Sequence, residues 1–296
     1  MGMVQAAQPL RMLPLRFTLR SRGIRFPGFS GSIWHGGIGQ MLAKASPQAF
    51  ATLYQTEPES RLYAILPPAE AEYPAGAIFE LRMTLFGAGI ECALAVAQAI
   101  AELGMIGLRP GGSYDVIAIS HLSPESEVRF FTTEQGFITL PQAHDLADWL
   151  HEEPAPGAHS TVRLITPLRI KEGGELLRTA PCYAQLMRRV MSRIDQLAHA
   201  AQADTPLPKS ERAALFAEAE AVNIASANVF PFTIERRSAR SGQQMQFEGL
   251  TGQVDYQGDM RRSLPWLRLA ELIQVGGKTA FGFGGIEIEI LNSAGN

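Results

Sequence analysis

Apolar and polar positions alternate over several stretches, and each alternation predicts a strand with one buried face. In LRFTLRSRG, residues 15–23, Leu15, Phe17 and Leu19 alternate with Arg16, Thr18 and Arg20, so the arginines point outward. AIFELRMTLFG sets Phe79, Leu81, Met83 and Leu85 against Glu80, Arg82 and Thr84, and GIEIEIL repeats the pattern from Ile286. Other stretches carry the helical period. AGIECALAVAQAIAELG reads as an apolar helix ending at Gly104, and CYAQLMRRVMSRIDQLAHA gathers Tyr183, Leu186, Met187, Val190, Ile194 and Leu197 on one side. Ser32 is placed to N-cap a helix running through Lys44, although Gly36, Gly37 and Gly39 make it a weak one.

Set in order with RLYAILPP and SYDVIAIS as further strands, the first elements run β-α-β-β-α-β. Residues 121–160 are polar and read as a connector with some strand and a short AHDLADWL helix. The order then recurs through TVRLITPLRIK, the Tyr183 helix, an inserted helix SERAALFAEAEAV, the strands VFPFTIERR and QMQFEGLTGQVDYQG, the helix SLPWLRLAELIQV and GIEIEIL. Pro265 is tolerated in the first turn of that last helix. The predicted fold is α+β: two tandem ferredoxin-like (βαββαβ) domains with a glycine-rich loop before the last strand. The expected boundaries are 1–125 for the first domain, 126–160 for the connector and 161–296 for the second.

Composition narrows the class. With 46% hydrophobic and 19% charged residues, the chain is of soluble globular type. Its most apolar window, Ile90 to Leu108, carries Glu91, Gln98 and Glu102, so it reads as a buried helix and no membrane is expected. Cys92 and Cys182 both sit in apolar helical contexts and are expected as buried free thiols, which fits a cytoplasmic, reducing setting. The net charge of −3 is unevenly spread. Residues 1–56 hold Arg11, Arg16, Arg20, Arg22, Arg25 and Lys44 with no acid, a local charge of +6. Residues 57–227 hold 13 basic and 22 acidic side chains, and residues 228–296 hold 7 of each. A basic face on an acidic body points to a polyanion; arginines merely solvated on a polar strand face are the alternative.

The stretch QVGGKTAFGFGGIEIEIL packs Gly276, Gly277, Gly282, Gly284 and Gly285 around one Lys-Thr pair. GGKT resembles the end of a P-loop, but the glycine that motif needs five positions earlier is Leu272, and a helix precedes the loop where a strand should. The Rossmann spacing is absent as well. A helix C-cap with Gly276 at C′ explains one or two of the glycines. The rest suit close approach of a backbone, with main-chain N–H groups as donors and Lys278 and Thr279 adding a charge and a hydroxyl. Phe283 reads as core; Phe281 is open between core and base stacking.

Several stretches together resemble a known family. FSGSIWHGGIGQML is similar to a first-helix motif written roughly G-S-x-x-R-G-x-x-G. GAIFELRMTLFGAG with GMIGLRPGGSYDVIAI resembles the same family's first-domain core. RRSARSGQQMQFEGLTGQVDYQGDM and LAELIQVGGKTAFGFGGIEI resemble its arginine stretch and signature loop. These are the repeat-associated (RAMP) RNA-binding proteins of CRISPR systems, and within them the endoribonuclease that processes CRISPR precursor RNA. The resemblance covers nearly the whole chain.

The resemblance implies metal-independent cleavage within the repeat: a ribose 2′-hydroxyl attacks the adjacent phosphate, leaving a 2′,3′-cyclic phosphate and a 5′-hydroxyl, and the mature guide RNA stays bound. Such chemistry needs a base, a stabiliser for the phosphorane and an acid for the leaving oxygen. No cofactor is implied, and the six scattered histidines offer no metal set. His35, flanked by glycines and near Arg22, Arg25 and Lys44, is the acid–base candidate, and it stands where relatives carry an arginine. The alternative for it is packing or a phosphate contact. If His35 is not the base, Arg25 and Arg240 carry the catalytic role as cations. Arg16, Arg20, Arg22, Lys44, Arg236, Arg237, Gly276, Gly277, Lys278 and Thr279 are the candidate RNA-binding residues. His121, His144, His151, His159 and His199 read as bystanders. The implied partners are a CRISPR repeat RNA hairpin and other subunits of an effector complex. The competing reading is a non-catalytic guide-RNA-binding subunit of such a complex.

Overall fold

The alternation at Leu15–Leu19 is the middle of a long strand, β1 (Arg11–Arg25). The computed structural model describes residues 8–57, 61–69, 71–151, 159–237 and 244–291. They fall into two units, the first comprising Met1–Leu150, Ile194–Pro208 and Ala280–Gly282, the second His151–Arg193, Lys209–Thr279 and Phe283–Asn296.

In the first unit β1 is followed by α1 (Gly31–Ala45), α2 (Pro47–Tyr54), β2 (Tyr63–Leu66), β3 (Ile78–Phe86), α3 (Ala93–Ile106), β4 (Gly112–Leu122) and β5 (Glu127–Thr132). The sheet order β2-β3-β1-β4 is that of a ferredoxin-like domain, with β5 and short strands added around it. The alternation works as expected. Leu15, Phe17 and Leu19 stand in register with Met83, Leu81 and Phe79, and all six are buried. Each such side chain contributes about 1.5–3 kcal/mol of burial. α3 packs on α1 and on β4, where Tyr114 Oη donates to the carbonyl of Ile100 at 2.7 Å. The segment Gly87–Ile106 is long and apolar enough to cross a membrane by length and composition; half of its apolar window is buried within the protein.

Two local features differ from expectation. α1 begins at Gly31 with Ser30 at the N-cap position, one turn-edge earlier than a Ser32 cap would set it. Its glycines weaken it by about 1 kcal/mol each, and the fold uses two of them for close packing. A Cβ on Gly37 would lie 2.8 Å from Leu103 Cδ2, and one on Gly39 2.6 Å from Tyr54 Cε1. α2 was not expected. Pro47 opens it and Ser46 Oγ accepts the Ala49 N–H at 3.4 Å.

The second unit repeats the plan with β6 (His159–Leu168), α4 (Tyr183–Ala201, counted in this unit up to Arg193), α5 (Lys209–Ala221), β7 (Asn223–Arg237), β8 (Gln244–Gln257), α6 (Leu264–Ile273) and β9 (Ile286–Leu291). The order β7-β8-β6-β9 is again ferredoxin-like. The predicted stripe on α4 is buried, and α5 is the insertion. Glu218 on α5 accepts the N–H groups of Arg262 and Ser263, both at 3.0 Å, placing an anion where the dipole of α6 favours one. Cys92 is buried and free; Cys182 is free but exposed, because it stands just ahead of α4 and not within it.

The glycine-rich loop lies between α6 and β9, as the sequence order requires. The first positive-φ residue after α6 is Gln274 (φ 62°), whose N–H returns to the Ala270 carbonyl at 2.9 Å, and Gly276 (φ 81°) follows two residues later. Val275 N–H donates to Gly284 O at 2.9 Å, and Gly284 N–H donates to Pro167 O at 2.9 Å. Phe283 is fully buried, edge-on to Phe247 at 5.8 Å, as expected of a core residue. Gly284 holds φ +79°, and a Cβ there would sit 1.9 Å from the Val275 carbonyl oxygen. Gly284→Ala therefore lowers stability by more than about 1 kcal/mol, measured as a drop in the urea midpoint. An unchanged midpoint contradicts this packing of the loop.

Candidate active site

His35 lies on α1 and is 7% exposed. A buried imidazole needs hydrogen-bond partners, and Nδ1 finds the hydroxyl of Tyr63, on β2, at 3.0 Å. Tyr54, at the end of α2, donates its hydroxyl to the His35 carbonyl at 3.0 Å and sets its ring 4.9 Å from the imidazole. Phe281, in the part of the glycine-rich loop that belongs to the first unit, lies nearer still, with centroids 4.1 Å apart. Arg61, just before β2, carries its guanidinium carbon 5.4 Å above the Phe281 ring. Burial pushes the Tyr63 hydroxyl well above its ordinary range, with the Arg61 charge pulling it partly back. Burial raises the Tyr54 hydroxyl too. Both phenols therefore stay protonated at neutral pH and keep an O–H to donate.

The arginines of the acid-free N-terminal stretch meet acids brought from elsewhere by strand pairing. Arg22 makes a two-point contact with Asp115, at 2.9 and 2.5 Å. Arg16 reaches Glu127 at 2.6 Å and Glu80 at 3.6 Å, Arg25 reaches Glu72 at 3.2 Å, and Arg11 lies 3.8 Å from Asp145. Arg20 and Lys44 are exposed and make no ion pair among the described residues. The local charge of +6 is thus largely answered within the sheet.

In the glycine-rich loop, Gly276, Gly277 and Lys278 reach solvent in part, whereas Gly282, Gly284 and Gly285 are buried. Thr279 is buried as well, at 5% exposure. The N–H of Gly277 donates to Arg169 O at 2.9 Å and that of Gly285 to Thr166 Oγ1 at 2.8 Å, so these two donors serve the fold. Lys278 has Nζ 5.5 Å above the Phe247 ring. The backbone of Arg236 and Arg237 ends β7, in register with Met245 and Gln244 of β8. Arg240 lies outside the described residues.

The fold gathers His35 with Tyr54, Tyr63, Arg61 and Phe281; the tyrosines and Arg61 were not singled out in the sequence. Ser-Pro ahead of Gln48–Tyr54 is a helix-start signal that would have found α2 and thereby Tyr54. Nothing local marks Tyr63, which reaches His35 from β2, or Arg61, which lies over Phe281. His121, outside the cluster, is buried, and that burial lowers its pKa, with His144 adding to the effect. Among the described residues no three His, Cys, Asp or Glu side chains gather in a way that would hold a metal.

Comparison with known proteins adds a partial family match and a shared fold. Residues 162–286 match the model of the CRISPR-associated endoribonuclease Cas6, and residues 10–143 match a second model described as an N-terminal domain. No curated protein matches the chain. Among solved structures, a Cas6 product complex is similar over 94% of this chain and 100% of its own, with TM-score 0.60 and 19% identity. The Cas6 of Thermus thermophilus is similar over 96% and 100%, with TM-score 0.59 and 17% identity. A chain of a partial Cas6-RT-Cas1–Cas2 complex is similar over 99% of this chain and 48% of its own, with TM-score 0.61 and 12% identity. At these identities the structures establish the shared tandem fold. The second half of the chain, residues 162–286, is similar to the CRISPR-associated Cas6 endoribonucleases, and the chain as a whole shares the fold of solved Cas6 structures.

Proposed function

We propose that this protein cuts CRISPR precursor transcripts within the repeat by metal-independent transesterification, with His35 as the proton-transfer residue. The observation that carries the reading is the pairing of His35 Nδ1 with the Tyr63 hydroxyl at 3.0 Å. A phenol that stays protonated can accept from Nδ1–H or donate to bare Nδ1. In the first tautomer Nε2 is the basic nitrogen and takes the 2′-OH proton. The imidazolium so formed, held at Nδ1–H by the Tyr63 oxygen, then hands the Nε2 proton to the leaving 5′-oxygen. The 2′-oxygen–phosphorus bond forms as the phosphorus–5′-oxygen bond breaks, and the proton removed from one oxygen is balanced by the one given to the other. Tyr63 thus supports both roles without changing its own charge.

The RNA contacts follow from charge left over by the fold. Arg20 and Lys44 are available to phosphates directly. Arg16, Arg22 and Arg25 exchange a carboxylate for a phosphate, which lowers their net contribution. Gly276, Gly277 and Lys278 form the solvent-reaching part of the loop and take the RNA backbone; Arg236, Arg237 and Arg240 are further phosphate contacts. Arg25 and Arg240 remain the alternative catalytic cations. The solved relatives are a product complex, a substrate mimic complex and a Cas6-RT-Cas1–Cas2 assembly. By likeness, this chain takes a repeat RNA hairpin, retains the mature guide and works with other CRISPR proteins.

Purified protein incubated with its cognate repeat RNA in EDTA is expected to make one cut with a 2′,3′-cyclic phosphate end, and RNA with a 2′-deoxy residue at the scissile position is expected to bind uncut. Tight binding without any cleavage, in EDTA or in magnesium, instead supports a non-catalytic guide-RNA-binding subunit. His35→Ala is expected to lower the single-turnover rate by at least about 100-fold, and full activity in that variant moves the role to Arg25 and Arg240. Tyr63→Phe removes one hydrogen bond of about 1 kcal/mol and lowers the rate by about 5-fold with unchanged RNA affinity; a rate equal to that of the parent protein contradicts the role given to Tyr63.

A further inference from the structure

Arg61 differs from four of the five arginines of β1. Arg11, Arg16, Arg22 and Arg25 each face a carboxylate, whereas Arg61 has none among the described residues. Its Nε and Nη1 are shielded from water and meet no acceptor among the described residues, although the guanidinium also engages the Tyr63 hydroxyl. Guanidinium is always protonated, so burying part of it without an acceptor is costly. A fold tolerates that cost where an anion arrives. The side chain lies over Phe281, 5.4 Å from its centroid, and that ring lies 4.1 Å from the His35 imidazole. Tyr63, two residues further along the chain, is bonded to His35 Nδ1, and the hydroxyls of Tyr54 and Tyr63 both feel the Arg61 charge. Neither aromatic ring nor phenol neutralises a cation, so the charge remains beside the histidine.

We propose that Arg61 is a catalytic residue that binds a non-bridging oxygen of the scissile phosphate and neutralises the phosphorane beside His35. The inference rests on the reading of His35 as the proton-transfer residue. Its planar fork suits two oxygens of one phosphate, which a lysine ammonium cannot match. Charge that develops on the phosphorane in a water-poor site is where a pre-placed donor acts most strongly.

The test compares Arg61→Ala, Arg61→Lys and His35→Ala under single turnover, on repeat RNA with a normal scissile phosphate and with each phosphorothioate diastereomer there. Folding is checked by thermal melting, and affinity with the uncleavable 2′-deoxy RNA. Arg61→Ala is expected to slow cleavage by about 10²–10³-fold and Arg61→Lys by less. One diastereomer is expected to slow the parent protein, and that thio effect is expected to vanish in Arg61→Ala, because the contact it reports is already gone. A folded Arg61→Ala within about twofold of the parent, or one slowed with its thio effect intact, overturns the inference. If Arg61→Ala does not fold, the same thio comparison in Arg61→Lys decides it. Loss of cleavage in His35→Ala with none in Arg61→Ala overturns this inference alone; full cleavage by His35→Ala overturns both.

Discussion

A histidine ring that is 7% exposed cannot keep its nitrogens unsatisfied, and the hydroxyl of Tyr63 at 3.0 Å meets that need for Nδ1. Much of the first unit is arranged around this contact. It fixes α1 against β2, and β2 is held in turn by its pairing with β3, where Tyr63 stands opposite Leu85. Tyr54 completes the seat from α2, and its close approach to α1 depends on Gly39. The weak helix propensity of the glycine-rich first helix is therefore the condition for packing aromatic rings around His35.

The glycine-rich loop works on the same principle. Its glycines are spent mostly on backbone geometry. Gly284 accommodates the Val275 carbonyl, and the N–H groups of Gly277, Gly284 and Gly285 bond to β6 and the residues just after it. What the loop contributes outward is narrower than its composition suggests, limited to Gly276–Lys278 on the solvent side. Phe281 is its contribution to the histidine cluster.

The strands and helices were legible because burial imposes a period of two or 3.6 on residues such as Leu15–Leu19 and Tyr183–Leu197, and a ferredoxin-like order follows from their succession. His35 stood out by chemistry and neighbours. The remainder was hidden for physical reasons. Charge counted along the chain made residues 1–56 strongly basic, but a sheet sums charge across strands, and Asp115, Glu127 and Glu72 answer arginines that no sequence window sets beside them. Tyr63 is an ordinary strand residue until pairing brings it to His35, and Arg61 an ordinary residue before that strand until the fold sets it over Phe281. Cys182 looked helical because the apolar period runs through it, yet the helix starts one residue later. Gln274 takes a positive φ immediately after α6, ahead of Gly276, which takes one as well.

The claim on which the account stands is that RNA is cut at the His35 cluster. A crystal structure of the protein with a 2′-deoxy repeat RNA measures this directly. The account predicts the scissile phosphate within hydrogen-bond reach of His35 and Arg61, with the 2′ position facing the imidazole. A scissile phosphate seated away from α1, with the His35 ring still closed over by Tyr54, Tyr63 and Phe281, would contradict it.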